Sequence, residues 1–526
     1  MILGGFFAYV SYLANQKLPI ILGERVDVEN LDISIFGNNV LFNNPSFEID
    51  SSKNKANVRI VSKAKSISIE GFSFWDLLVS NKLGVDKLTI DTTQIHLQLP
   101  ERRPSNTNKK EIHFFVTEIF TSIGVEKLEI VHADILVTKK GTSDTLLNVK
   151  GFRLTAEKII VDTATVNNIF PLEFERSVVQ MDGYRIRAGE DYRFSGRNLE
   201  IKDTTITVQD LKFESIYSRE EFPKHQKHEK AQVDLEVAGL SSKNLLWDLD
   251  STGFSIRSTR FNLDQANLSV YKDKRPTTQS QEIKPLLTGM IMELPFTLTI
   301  DTLTVLDSYI EYEQFPVRFP RSGKVFFDKM YVSAYNVTND SIALNQSSKT
   351  LIDVETDFMG EGKLWTNIQL DLRSPKQDFT VKGKLGTLPV TYVNQVMTPL
   401  VGVTAEGTVH EVNFEFNGDE YDASGLITCE YTDLNITKYD DTRDKEFLKS
   451  ILGNLILRNN NRKEDSLGYK EGEIYFIRYQ NKNFFNYLWN SVRVGLMDIV
   501  VPFYKNPDRS RDADKPKYKE DKSEPM

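Results

Sequence analysis

The sequence predicts a mainly β protein: an elongated, curved antiparallel β-sheet groove built from repeated strand-turn-strand units, with short helices at its rim. Two observations support this fold class. A sixteen-residue apolar pattern occurs four times within the 526 residues, and Val, Ile and Thr, which favour strands, dominate the periodic stretches. A repeated unit with one apolar face can bury that face only against its neighbours, so the units are expected to stack into a long body.

Each copy of the pattern has two short apolar alternations separated by polar residues. In the first copy the polar stretch is Asp91-Thr-Thr-Gln94, which predicts a turn, so each copy is expected to form a hairpin. Period-two alternation places the apolar positions of a copy on one side of the sheet. These positions are Leu88, Ile90, Ile95 and Leu97; Leu128, Ile130, Ile135 and Val137; Phe261, Leu263, Leu268 and Val270; and Leu303, Val305, Ile310 and Tyr312.

This apolar face has two interpretations. It can fill an ordinary sandwich core, which composition alone favours. It can instead form an open apolar trough, because helix candidates are few and short beside the area of the sheet. The periodic pattern does not decide between the two.

The flanks of the copies indicate an internal duplication. The segment from Ile69 to about residue 161 resembles the segment from Val237 to about residue 337. In this alignment Gly71 corresponds to Gly239, and each glycine is followed by a serine suited to capping and a Leu-Leu turn of helix. The duplicated unit is therefore helix, hairpin, helix, hairpin and crossing strands.

The sequence divides into five segments. Residues 1–13 form an apolar run that is too short to span a bilayer alone, and it is interpreted as the end of a membrane helix, with a buried first helix as the alternative. A stretch rich in Lys, Glu and His at 218–230 is expected to be a solvated loop. The segments are an N-terminal membrane anchor (1–22), a first β-repeat half (23–230), a second β-repeat half (231–345), a C-terminal β region with a closing helix (346–504) and a disordered charged tail (505–526).

Composition and motifs exclude several classes of function. The net charge is -9 and the basic residues are scattered, whereas a nucleic-acid binder normally presents a basic face to phosphates. The single cysteine, Cys429, allows neither an intramolecular disulfide nor a cysteine metal cluster. No nucleophile elbow, phosphate-binding loop or His-Glu-x-x-His motif is present. No catalytic residue, metal ligand or cofactor is predicted, and the protein is not expected to be an enzyme.

Over most of residues 1–500 the sequence resembles the AsmA-like, TamB-like family of Gram-negative envelope proteins. Besides the Leu-x-Ile hairpins and the paired strands of 401–436, four short segments carry the resemblance. They are Asn15-Gln-Lys17-Leu-Pro19 after the apolar start, Gly71-Phe72-Ser-Phe-Trp75-Asp-Leu77-Leu78, Ala405-Glu-Gly407-Thr-Val409, and Phe485-Asn-Tyr487-Leu488-Trp489.

The resemblance implies a single N-terminal helix in the inner membrane and a β body in the periplasm. It also implies an apolar groove that conducts phospholipid acyl chains toward the outer membrane, as in bridge-like lipid transfer proteins. The expected partners are phospholipids, the inner membrane and an outer-membrane or envelope protein. The chain departs from the family in its short anchor and modest length. The alternative function is a non-catalytic scaffold that assists outer-membrane protein assembly through its sheet edges.

Overall fold

The computed structural model describes residues 26–27, 30–34, 38–50, 59–72, 82–99, 122–142, 144–162, 174–250, 253–275, 280–317, 320–438, 458–464 and 468–509. The predicted membrane anchor (1–22) and the predicted tail beyond residue 509 lie outside these residues. Among the helices of the described residues, none is both long and apolar enough to cross a bilayer.

The described chain is mainly β, as predicted, with a few short helices. The strands before residue 216 are β1 (Val26–Asp27), β2 (Asn30–Ser34), β3 (Asn39–Asn43), β4 (Ser46–Asp50), β5 (Arg59–Glu70), β6 (Lys82–Leu99), β7 (Ser122–Lys139), β8 (Thr145–Asp162), β9 (Arg176–Ala188), β10 (Tyr192–Lys202) and β11 (Thr205–Ser215). The later strands are β12 (Gln232–Lys243), β13 (Leu246–Asp250), β14 (Gly253–Asp273), β15 (Thr297–Phe315), β16 (Gly323–Thr338), β17 (Lys349–Phe358), β18 (Gly362–Asp371), β19 (Phe379–Leu385), β20 (Leu388–Pro389), β21 (Val403–Gly418), β22 (Asp422–Lys438) and β23 (Gly472–Ile477). The α-helices are α1 (Leu287–Met292), α2 (Ser341–Gln346), α3 (Asn394–Val401) and α4 (Phe484–Val500).

The chain forms two compact units. The first comprises 1–211 and 248–254, and the second comprises 212–247 and 255–526. The predicted C-terminal region (346–504) lies in the second unit, together with most of the predicted second repeat half (231–345).

Within the first unit, strands adjacent in sequence from β4 to β10 are also adjacent in the sheet. Strand β5 also pairs with β3, which in turn pairs with β2, and β4 also pairs with β1. These pairings are antiparallel, whereas β6 and β7 run parallel.

Within the second unit, β12 pairs with β14, and pairing continues in sequence order from β14 to β19. The order then runs from β19 to β21, β22 and β23, and the short β20 also pairs with β21. These pairings are antiparallel, whereas β14 and β15 run parallel.

The predicted antiparallel sheet is present, but two of its pairings are parallel. In both, neighbouring copies of the repeated pattern lie side by side and point in the same direction. Parallel neighbours need a crossover connection much longer than a hairpin turn. The connection between β14 and β15 carries α1.

The predicted strand-turn-strand form of each copy is also wrong. Each copy lies in one continuous strand of 18 to 21 residues. In three copies a single residue with left-handed backbone stands where the sequence predicts the turn. These residues are Thr92 (φ 45), Gln265 (φ 51) and Asp307 (φ 44). Such a residue bends the strand and shifts the alternation by one position. The apolar residues before and after it therefore face the same side without a chain reversal.

The pairing pattern and the backbone both repeat, in a form that differs from the predicted unit. Strands β5 to β8 pair antiparallel, parallel and antiparallel, and so do β12, β14, β15 and β16. Left-handed residues recur at four equivalent positions, which are Gly71 and Asn244, Thr92 and Gln265, Gly151 and Lys329, and Lys158 and Asn336. The counterpart of Gly71 is thus Asn244 and not Gly239. Asn is, after Gly, among the residues that best tolerate this conformation.

The helix predictions have mixed outcomes. The predicted closing helix is present as α4, and the C-terminal region also contains a 3-10 turn, Val390–Val393, followed by α3. The Leu-Leu turn of helix predicted after Gly239 is wrong, because β12 continues to Lys243 and β13 begins at Leu246. The equivalent residues after Phe72 lie outside the described part of the chain.

We expect Thr92→Gly to raise the free energy of unfolding by about 1 kcal/mol, because a β-branched residue is strained at φ 45 and glycine is not. Thr89→Gly, in a regular part of the same strand, should lower it by about 1 kcal/mol. Urea denaturation measures both values. If the two substitutions shift stability in the same direction, Thr92 does not carry the strain inferred from its backbone.

Candidate functional site

The four copies of the apolar pattern form two in-register pairs. In the first unit Leu88 lies opposite Leu128, and the same offset relates every other position of the first two copies. In the second unit Phe261 lies opposite Leu303, and again the offset is constant. Equivalent apolar side chains therefore stand next to each other. The remaining neighbouring positions are Ile90 and Ile130, Ile95 and Ile135, Leu97 and Val137, Leu263 and Val305, Leu268 and Ile310, and Val270 and Tyr312.

The exposure of these sixteen side chains is intermediate. Val137 is buried at 7% exposure, and the other fifteen are half-buried. Apolar side chains at the centre of a two-layer core are normally almost inaccessible, as they are elsewhere in this chain. The repeat face therefore retains apolar surface that contacts water.

In the first unit two of the eight apolar positions, Ile90 and Ile130, belong to a row that crosses seven strands. The row passes from β3 through β5, β6, β7, β8 and β9 to β10, and each step is a pair of directly opposite residues. Its first member is buried and the others are half-buried. The members are Phe42, Ile67, Ile90, Ile130, Leu154, Val179 and Ile201.

The opposite face of these strands is charged. Lys87 Nζ lies 2.8 Å from Glu129 Oε2, and Arg153 Nη2 lies 2.6 Å from Asp182 Oδ1. The hydrogen bond from Lys87 lowers the pKa of Glu129 below its ordinary value. Such exposed pairs contribute little to stability, but they identify this face as the solvated one. The two faces of the sheet thus differ sharply in polarity.

A corresponding row crosses the second unit from β14 to β23. Its members are Phe261, Leu303, Ala334, Ile352, Ile368, Val381, Phe416, Gly425 and Ile474. Phe261 and Leu303 are half-buried, whereas Val381, Phe416 and Ile474 are each only 1% exposed. One continuous apolar face is therefore closed at the β23 end and partly open at the repeat strands.

Helix α4 closes the β23 end. Asn483 caps the helix by accepting a hydrogen bond from Asn486 N at 2.9 Å, and the ring of Phe379 packs edge-on against Phe484 at 5.1 Å and Tyr487 at 5.6 Å. The helix approaches the sheet closely, because a Cβ on Gly495 would lie 2.4 Å from Ile427 Cγ2. This end is an ordinary closed core.

A buried charged cluster lies beside the last apolar position of the fourth copy. Glu229 Oε1 lies 2.6 Å from Lys272 Nζ and 3.7 Å from Lys274 Nζ, and its side chain is only 3% exposed. Burial, followed by the charge of Lys482, lowers the pKa of Lys272 to about 8. Burial and the charge of Glu229 raise the pKa of Tyr312.

This cluster was missed at the sequence level. Glu229 belongs to the stretch 218–230, which was expected to be a solvated loop. Most of the stretch is exposed, as expected, but it contains a 3-10 turn, Phe222–His225, whose Phe222 is 1% exposed, and the side chain of Glu229 is buried. The sequence signal for burial in this charged stretch is its aromatic residue, Phe222.

A second concave surface lies on the opposite face of the second unit. This groove of about 490 Å³ is lined by Tyr331 and Trp365, together with Lys382 and Lys384 among others. Its two lysines are held by carboxylates of β21, at 2.8 Å from Glu415 and 2.6 Å from Glu411. The aromatic side chains are exposed, but the cations of this groove are already paired.

The described residues contain little that suggests catalysis or a metal centre. Cys429 is buried, and burial raises the pKa of its thiol to about 12, which disfavours the reactive thiolate. His96 and His410 each bond a threonine hydroxyl at 3.0 Å. No three His, Cys, Asp or Glu side chains in this part of the chain are grouped to hold a metal ion.

No family model matches the chain, and no curated protein matches it.

We expect Gly495→Ala to lower the free energy of unfolding by about 1 to 3 kcal/mol, because the added Cβ would overlap Ile427. In an uncrowded helix the same change would raise it by about 1 kcal/mol. Gly386→Ala in the same unit is the control, since its Cβ would meet its nearest atom at an ordinary 3.6 Å. Urea denaturation followed by tryptophan fluorescence measures both, and equal stabilities would contradict close packing of α4.

Proposed function

We propose that the protein binds phospholipid acyl chains on its half-buried apolar face and supports lipid transport between two membranes. The observation that carries the proposal is the in-register alignment of the sixteen predicted apolar positions in the two units. Fifteen of these sixteen side chains are half-buried. Large exposed apolar surfaces on folded proteins usually mark binding sites. The ligand for this one is elongated and apolar.

The dimensions of the face suit acyl chains. Neighbouring strands lie about 4.8 Å apart, so adjacent rows of branched aliphatic side chains form a continuous hydrocarbon surface. Each methylene buried on it contributes about 0.8 kcal/mol. The face is broad and repetitive, so a chain could move from one row to the next at small cost.

The cellular setting of this proposal comes from the resemblance to AsmA-like and TamB-like proteins. On that basis the protein is anchored in the inner membrane of a Gram-negative bacterium, and its β body lies in the periplasm. The transport would then run between the inner and outer membranes. An N-terminal helix within 1–22 would be the anchor.

The alternative function, a scaffold that pairs with other proteins through its sheet edges, has less support at the β23 edge. An added strand needs free backbone groups along that edge. Asn506 Nδ2 already donates to Tyr475 O at 2.7 Å, and Ile477 N donates to Asp508 Oδ2 at 3.1 Å. The segment 505–509, predicted as the start of the charged tail, therefore covers this edge.

We expect Ile90→Asp and Val305→Asp to reduce uptake of a fluorescent phospholipid by the purified full-length chain at least severalfold, because a charge on the apolar face must be desolvated by a bound acyl chain. Thr89→Asp and Thr304→Asp, the preceding residues in the same strands, should leave uptake near the wild-type value. Mass spectrometry of co-purified lipid gives an independent measurement.

Circular dichroism and thermal unfolding of the four variants test the alternative of a closed core. A charge placed on a half-buried position should leave the protein folded. If both face variants unfold while both controls remain folded, the apolar face is an internal core and the proposal fails. A folded wild-type chain that neither contains nor takes up lipid also rejects it.

A further inference from the structure

The groove on the solvated face of the second unit has two aromatic side chains in one row. Tyr331 of β16 and Trp365 of β18 both lie directly opposite Glu355 of β17, one on each side of it. Directly opposite residues project from the same face of a sheet, so the two aromatic residues are two strand spacings apart, or about 10 Å. Their side chains are 45% and 41% exposed. The row therefore presents two separate aromatic surfaces to water.

A row of polar side chains runs beside the aromatic row. Ser333, Asp353, Asn367 and Lys382 lie opposite one another in turn across β16 to β19, and all four line the groove. Asn367 Nδ2 donates to Asp353 Oδ1 at 2.7 Å, which fixes the orientation of the amide. Hydroxyl, carboxylate and amide groups thus lie within two residues of each aromatic surface.

The charges of the groove favour a neutral ligand. Its two lysines, Lys382 and Lys384, are paired with carboxylates of β21, so an anionic ligand would have to displace those carboxylates. A cationic ligand on Trp365 would meet the ammonium group of Lys384, which lies directly opposite it. An uncharged ligand with many hydrogen-bonding groups meets neither obstacle.

The first repeat lacks the aromatic row. The equivalent left-handed residues Gly151 and Lys329 place Arg153 where the second repeat has Tyr331. Arg153 is paired with Asp182 on the solvated face. A charged pair therefore suffices at this position of the strand, and the fold does not require an aromatic ring there.

Pyranose sugars have the complementary chemistry. Each face of a pyranose ring carries C–H groups that pack against the negative face of an aromatic ring, and its edge carries hydroxyls that donate and accept hydrogen bonds. The spacing of Tyr331 and Trp365 is close to the length of a disaccharide, so every second sugar of an extended chain would meet a ring. A protein partner would favour a contiguous apolar patch, which Glu355 interrupts here.

We propose that this groove binds a neutral glycan of extended, β-linked pyranose units that lies across β16 to β19, with Tyr331 and Trp365 stacked on two of its sugars. Asp353 and Asn367 hydrogen-bond to hydroxyls at the edge of the glycan. This inference goes beyond the proposed lipid-binding function and does not rest on it. Asn367 and Ile368 are adjacent in β18, so the groove and the apolar row use opposite faces of the same strands.

Calorimetry of the full-length chain with the tetramers of β-1,4-linked glucose and β-1,4-linked N-acetylglucosamine tests the proposal. At least one tetramer should bind, and glucose alone should bind far more weakly because it covers only one ring. Trp365→Ala should weaken tetramer binding about tenfold, the loss of one stacked ring, whereas Trp365→Phe should retain most of it. Binding should change little between low and high salt, because the ligand carries no charge.

Tyr335→Ala is the matched control. Tyr335 lies on the same strand and face as Tyr331 and is 43% exposed, but it does not line the groove. This variant should bind the tetramers like wild type, and circular dichroism should show that all variants remain folded. Failure of both tetramers to bind, or equal losses in Trp365→Ala and Tyr335→Ala, would overturn the proposal.

Sedimentation of the same proteins tests a second copy of the chain as the occupant of the groove. Wild type and Trp365→Ala should sediment alike. If wild type self-associates and Trp365→Ala does not, the aromatic row is an interface between copies and the glycan proposal fails.

Discussion

In-register parallel pairing of neighbouring repeats is the constraint on which the apolar face depends. Because β6 and β7 keep one offset along their whole length, each apolar side chain of one copy stands beside its equivalent in the next. The same is true of β14 and β15. An offset changed by one residue would bring apolar and charged side chains into the same row. The polarity difference between the two faces follows from this register.

Residues with left-handed backbone are the second requirement for a continuous apolar face. An 18-residue strand with strict alternation would place Ile90 and Ile95 on opposite faces, since they differ by an odd number of positions. The left-handed residue Thr92 shifts the alternation by one, so both side chains face the same side. The recurrence of such residues at equivalent positions in both repeats shows that the bend belongs to the unit. It also explains why β-branched Thr92 occupies a backbone conformation that it does not favour.

Much of this architecture could be predicted from the sequence, and the failures have physical reasons. The four apolar patterns and their duplication were predictable because alternation and spacing are local. The polar residues between Ile90 and Ile95 predict a turn but form a bend, because a hairpin turn and a bend within a long strand use similar residues. Only the partner strand distinguishes them, and the partner lies 40 residues away in sequence. The burial of Glu229 escapes prediction for the same reason, because its partners Lys272 and Lys274 lie at the end of β14, far from it in sequence.

The gradient of burial along the second unit bears most directly on whether the face is a groove or a core. Val381 and Phe416 belong to the same buried core as residues of α4 and are each 1% exposed, whereas Phe261 and Leu303 in the same row are half-buried. A sequence pattern cannot reveal this difference, because the alternation is the same at both ends. Under the proposed function, a bound acyl chain would enter the row at its partly open end and stop against the packed core at the other.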